Sequence, residues 1–388
     1  MKNKTKIAVV INNRANYARI KSFLKEAQKN SKVELKIILA GSSHLEKFGN
    51  ISNILKRDGI KIDFKLHTVV EGNDPLCMAK TTSNTLSEVS TALSSIDPDV
   101  VIVIADRYEN LAVAIAASYM NYTLAHIQGG EVTGSIDESV RHAITKLSHI
   151  HFVCTKRAKK FLIKMGEQKK NIYLTGCPSL DFIKNLNKRI DKKFPKRNPY
   201  AGDKISFKDE YIVFLFHSVT TQFKENRKFI KNLIKSIKFF NKNYQVVILW
   251  PNIDAGTDFI SKEIRILMNS KRINSIATYK NFSPEDYVRL IYNSKCLVGN
   301  SSSGIRESSY MGLPVVNIGK RQQHRERGKN VIDVDNSSTK IISAIKFQLN
   351  KGKYKKEYIY GKGGAGKKIL SLLLKSKIEI QKKLNYLN

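Results

Sequence analysis

Ionisable residues sit at the ends of apolar runs in this chain. Asp106-Arg107 follows the run 100–105, Glu131 follows the Gly129-Gly130 pair that breaks the run 124–127, and Asp137-Glu138 opens an amphipathic stretch reaching about Ser148. Carboxylates so placed can exchange a proton with a bound substrate. The second half carries different chemistry. The loop 299–304 reads GNSSSG, Glu307 follows one turn later, and Arg321, Gln322 and Arg325 follow the run 315–318. A Gly/Ser loop opening a helix offers N–H and hydroxyl donors that suit a pyrophosphate. Glu307 can accept from ribose hydroxyls, and the arginines complement phosphate charge. Arg14, beside a helix start, can hold a phosphate or orient a carboxylate. Thus Asp106, Glu131 and Asp137 supply the carboxylates, while Asn252, Ser301, Ser302, Glu307 and Arg321 supply phosphate and sugar binders. The division predicts a nucleotide held by the second half and chemistry done by the first.

The elements that must position these groups are legible. Apolar runs at 7–11, 33–40, 100–105, 124–127, 151–154 and 172–176 alternate with amphipathic stretches, and the pattern restarts at 211–216. Continuous apolar runs mark parallel strands buried on both faces. Open α/β sheets bind ligands at the carboxyl ends of such strands. The basic, proline-containing stretch 189–208 predicts a linker. The expected layout is residues 1–188 as one Rossmann-like domain, 209–360 as a second, and 361–388 as a C-terminal helix. The stretch 361–367, GKGGAGK, fits a P-loop pattern, but Lys368 stands where Ser or Thr would hold magnesium. It is read as a glycine turn into the last helix.

With 388 residues, 41% of them hydrophobic, the chain can build two cores. No apolar run approaches 18 residues, so no membrane span is expected. The short apolar stretch at 7–11 is no signal peptide, and a cytoplasmic location is expected. Four scattered cysteines suggest buried thiols in a reducing compartment, without a zinc site or a disulfide framework. The net charge of +35 could serve a polyanionic partner. The basic residues are dispersed, however, and lack the interleaved aromatics of an RNA binder, so nucleic acid is not the expected partner.

The segments ADRYE near 105, HIQGGEVTGSIDESVRHAITKLSHIHF, FHSVTT at 216, WPNIDAG at 250, GNSSSGIRE at 299 and GLPVVNIGKRQQHRE near 312 occur in order across nearly the whole chain. Together they resemble the hydrolysing UDP-N-acetylglucosamine 2-epimerases of sialic-acid-type sugar synthesis. The resemblance implies a GT-B-like α/β fold: two Rossmann-like domains, a cleft between them, and a last helix that returns to the first domain. It implies loss of the proton on C2 as UDP leaves C1, then hydration to N-acetylmannosamine and UDP. By resemblance Asp106 and Asp137 match acidic catalytic positions. His217, Ser301, Ser302, Glu307 and Arg321 match nucleotide contacts, with His217 also placed in the catalytic set, and Arg14 and Arg107 match arginines lining the cleft. No nicotinamide or metal cofactor is implied, and a homodimer is.

Two departures stand out. Many members read HGDR where this chain has Ile104-Ala105-Asp106-Arg107, and many read HIEGG where it has Gln128. Gln128 cannot take a proton, so either Glu131 or Asp137 covers for it, or the substrate differs. A UDP- or GDP-linked N,N′-diacetylbacillosamine, on the route to legionaminic acid, would present a less polar face suited to Ile104. Competing readings are a GT-B glycosyltransferase, a basic nucleic-acid-binding protein, and an epimerase disarmed at Gln128.

Overall fold

In the computed structural model, which describes residues 4–270 and 274–385, two seven-stranded sheets are flanked by helices. The first comprises β1 (Thr5–Ile11), β2 (Val33–Leu39), β3 (Phe64–Lys65), β4 (Val100–Ile104), β5 (Thr123–Ile127), β6 (Ile150–Val153) and β7 (Ile172–Leu174), in the order 3-2-1-4-5-6-7. Every pairing in it is parallel. The second comprises β8 (Tyr200–Gly202), β9 (Tyr211–Leu215), β10 (Gln245–Leu249), β11 (Ile276–Tyr279), β12 (Cys296–Gly299), β13 (Val315–Ile318) and β14 (Val331–Val334), in the order 14-13-12-9-10-11-8. Only β8 runs antiparallel, along the edge of β11.

The central strands explain their own composition. All five residues of β4, VVIVI, are buried, because helices cover both faces of the sheet. The second sheet has the same two-sided core.

The expected GT-B-like architecture is observed, including the returning last helix. That helix, Ala365–Leu373, buries Ile369, Leu370 and Leu373 in the core of the first body, against Ile20, Phe23 and Leu24 of the helix Arg14–Gln28. The P-loop-like glycines earn no nucleotide. The amides of Ala365 and Gly366 donate to the two carboxylate oxygens of Asp181 at 2.9 and 2.7 Å, so the anion site is filled from within. The chain beyond Leu373 continues without helix over the described residues, and 386–388 lie outside them.

The stretch 189–208 is built into the second body. It contributes β8, and Phe194 is fully buried against Phe207 and Phe282. Phe194 and Phe207, rather than its basic surface, decided its fate.

Candidate active site

The ends of β1, β9, β10 and β12 converge on a cleft between the bodies. Arg14, Ala18 and Arg19, from the first turns of the helix Arg14–Gln28, line one wall. His217, Asn252, Ser301, Ser302, Glu307 and Arg321 line the other. The helix starts where it does because Asn13 accepts from the amide of Asn16 at 2.9 Å. Gly299 lets the serine loop turn in over β9: its φ is +146°, and a Cβ there would lie 1.9 Å from Leu215 O.

His217 is locked as a neutral donor. Its Nδ1 accepts from the amide of Asn252 at 3.3 Å, so Nε2 carries the proton. Burial, then the arginines Arg321, Arg14, Arg107 and Arg19, hold its pKa well below the ordinary histidine value. Asn300 fixes the backbone beneath it, accepting from His217 N at 2.8 Å and donating to His217 O at 2.9 Å. Glu307 lies in the wall with no hydrogen-bond partner among the described residues.

Beyond Arg19 and Arg321 lie the carboxylates. Asp106 Oδ2 accepts from Arg141 Nε at 3.2 Å and from Arg141 Nη2, with Arg325 3.8 Å and Arg19 4.0 Å away. Burial alone would raise its pKa, but these three guanidinium groups outweigh it and hold the carboxyl far below the usual range. Glu131 is also kept ionised, with Arg306 Nη2 at 2.7 Å and Arg325 Nε at 3.1 Å. Four arginines thus face two carboxylates, leaving positive charge for an anionic ligand.

Asp137 differs. Burial first, and then the nearby Asp106, push its pKa up, against Arg321 at 3.7 Å. Its side chain keeps 31% of its surface and begins the helix Asp137–Leu147, and both features moderate that push. Of the three carboxylates, it is the one whose pKa is shifted up, toward holding a proton, where Asp106 and Glu131 are shifted down.

The structure places other expected residues differently. Arg107 does not line the cleft: Nε and Nη2 hold Glu109 at 3.0 Å each, and Nη1 pairs with Asp254 of the second body. One side of its guanidinium is held by Glu109 within the first body, and the other ties that body to the second. Ile104 is fully buried in the sheet core, so it cannot select a less polar sugar. Gln128 is buried at the end of β5 with φ +72°; its Nε2 donates to Cys177 Sγ at 3.0 Å, and its Oε1 has no partner among the described residues. Ala105, at the end of the neighbouring strand, has φ +63°. Two left-handed non-glycine residues side by side concentrate strain at this edge.

Sequence reasoning missed Arg19, Arg141 and Arg306, which fall inside helical stretches with no motif to single them out. Arg141 left a trace, standing four residues after Asp137 on one helix face. Arg306 left only its neighbour Glu307.

Comparison with known proteins decides the family. Residues 25–374 match the family model described as UDP-N-acetylglucosamine 2-epimerase. The chain belongs to that family. It is 34% identical to a UDP-N,N′-diacetylbacillosamine 2-epimerase (hydrolyzing) of Legionella pneumophila, covering 95% of both chains. It is 33% identical to a GDP/UDP-N,N′-diacetylbacillosamine 2-epimerase (hydrolyzing) of Campylobacter jejuni, covering 85% of this chain and 84% of the relative. In fold it resembles the UDP-GlcNAc 2-epimerase of Neisseria meningitidis bound to UDP-GlcNAc, with a TM-score of 0.77, 21% identity, and coverage of 96% and 100%. The cleft of this 2-epimerase family member accounts for a nucleotide-sugar substrate.

Proposed function

We propose that the protein is a hydrolysing 2-epimerase of a UDP-linked 2-acetamido sugar. The observation that carries this is the neutral His217, its Nε2–H held in a cleft ringed by Arg14, Arg19 and Arg321. That arrangement stabilises a departing diphosphate without needing a proton of its own to lose. Glu307 accepts from the ribose hydroxyls, and Ser301 and Ser302 donate to phosphate oxygens.

Asp137 takes the proton from C2 while the C1–O bond breaks and its electron pair leaves with UDP. A C1–C2 double bond results. Water then adds hydroxide at C1, and a proton returns to C2 from the opposite face. Substrate and one water yield UDP and the free 2-epimer. Asp106 and Glu131, held ionised, fix the guanidinium groups that face the developing charge. Gln128 carries no proton in either step.

UDP-N-acetylglucosamine, giving N-acetylmannosamine, is the first substrate to test. The diacetamido sugar is the second reading, favoured by the names of the Legionella and Campylobacter relatives. Proton NMR in D₂O, with each sugar separately, tests both. Released UDP with a free 2-epimer deuterated at C2 is the expected result, and the faster sugar names the substrate. UDP released with protium retained at C2 overturns the elimination, and an epimer that stays joined to UDP overturns the hydrolysis, because UDP and not water then adds back at C1.

A further inference from the structure

The helix Asp137–Leu147 presents Asp137 and Arg141 to the site, and its far end is held from outside it. Lys382 Nζ donates to Thr145 O at 3.0 Å and Lys146 O at 2.8 Å, both in the last turn. Such carbonyls lack intrahelical partners, and a cation there opposes the negative pole of the helix. Lys382 also lies 2.7 Å from Glu167 Oε2, a carboxylate with 1% exposure. Glu167 is shared with His151 at 3.0 Å and Lys146 at 3.3 Å.

Lys382 belongs to a strap, 380–385, that follows the last helix across the first body. Three further bonds pin it. His149 Nδ1 accepts from Leu124 N at 3.0 Å, so Nε2 carries the proton and donates to Ile380 O at 2.9 Å. Gln168 Nε2 donates to Lys383 O at 3.0 Å, and Asn385 N donates to Gly166 O at 2.7 Å. The same helix turn reaches the second carboxylate. Thr145 Oγ1 lies 3.2 Å from His126 Nδ1, and His126 Nε2 donates to Ala105 O at 2.8 Å, beside Asp106.

We propose that Lys382 is a positioning residue for the epimerase reaction: by capping the last turn of the helix Asp137–Leu147, the strap fixes where Asp137 and Arg141 stand in the site. Eleven residues make the helix about 16 Å long. That is about twice the screening length at physiological salt. The coupling therefore runs through the helix as a rigid body, not through the charge of Lys382. The inference rests on the function proposed above.

The test uses the full-length protein with Lys382→Met and Lys382→Arg, and a chain ending at residue 379 as a second variant. In Lys382→Met, kcat falls by about ten- to a hundredfold, as expected for misplaced reacting groups. KM and the Kd for UDP stay within about twofold, because the residues proposed to hold the nucleotide lie on elements other than this helix. The acid limb of the pH profile does not move. Amides at 143–148 exchange faster, and Lys382→Arg restores kcat. An unchanged kcat in Lys382→Met and in the shortened chain overturns the proposal. So does a kcat loss matched by an equal loss of UDP binding, or one that Arg does not restore. If the wild type turns over neither sugar, the proposed reaction fails. The strap then stands or falls on whether Lys382→Met speeds exchange at 143–148 with UDP binding unchanged.

Discussion

Arg141 and Asp106 are joined by two nitrogens of one guanidinium, Nε and Nη2, on a single carboxylate oxygen. Arg141 is fully buried and also donates through Nη1 to Glu131 O and through Nη2 to Thr133 Oγ1 at 3.3 Å. One helix side chain thus ties together the end of β4 and the loop after β5.

Breaking that tie leaves a buried charge with poorer partners. Arg141→Met is expected to cost about 3–5 kcal/mol of stability, the range for removing one member of a buried pair. Urea denaturation measures it. Arg141→Lys keeps the charge but loses the planar two-nitrogen contact, so it should fold better than the Met variant while turning over more slowly than wild type.

His217 is expected to act as a donor without titrating. His217→Ala should lower kcat by about a hundred- to a thousandfold, as for loss of one donor to developing negative charge. UDP affinity should fall far less. His217→Gln retains an N–H and should recover part of the rate. The wild-type pH–rate profile should show no inflection near the ordinary histidine value of 6.5 that disappears in His217→Gln.

In the proposed reaction Asp137 must be ionised to take the C2 proton. Its pKa is raised from 3.8, so kcat/KM should fall with decreasing pH through a midpoint above that value. Asp137→Asn should abolish deuterium incorporation at C2 while leaving UDP binding intact by calorimetry. A profile flat down to pH 4 would assign the proton transfer elsewhere.

Buried histidines make the fold acid-sensitive. Burial lowers the pKa of His126 to about 3, and that of His151 falls below its ordinary value. Between the folded and unfolded values, the unfolded chain binds protons that the native state refuses. Stability is therefore full above about pH 6.5 and declines as pH falls through that value, by about 1.4 kcal/mol per unit for each such group. For His126 the decline continues to about pH 3. Ion-paired Glu131, with its folded pKa lowered, adds a loss only below the ordinary carboxylate range. Thermal melts from pH 8 to pH 4 should show the decline starting near 6.5, and His126→Gln should shallow it.

The sequence alone determined the alternation of strands and helices and placed Asp106, Glu131, His217, Asn252 and Ser301 in the loops that follow strands and Asp137 at a helix start. Strands covered on both faces must be continuously apolar, and the polar residue that ends such a run falls at the sheet edge where ligands bind. The glycine-rich stretch at 361–367 was likewise legible as a turn, because it lacked the hydroxyl a phosphate loop needs.

Tertiary structure decided what each charge does. Arg107 was expected to line the cleft, but Asp254, 147 residues away, pairs with it. Nothing local singled out Arg306, whose partner Glu131 lies 175 residues away. The protonated nitrogen of His217 is fixed by the amide of Asn252, and the helix under Asp137 is capped by a lysine near the chain's other end. Local sequence encodes periodicity because backbone geometry repeats over a few residues. Ion pairs, tautomers and burial depend on distances between segments that only folding brings together.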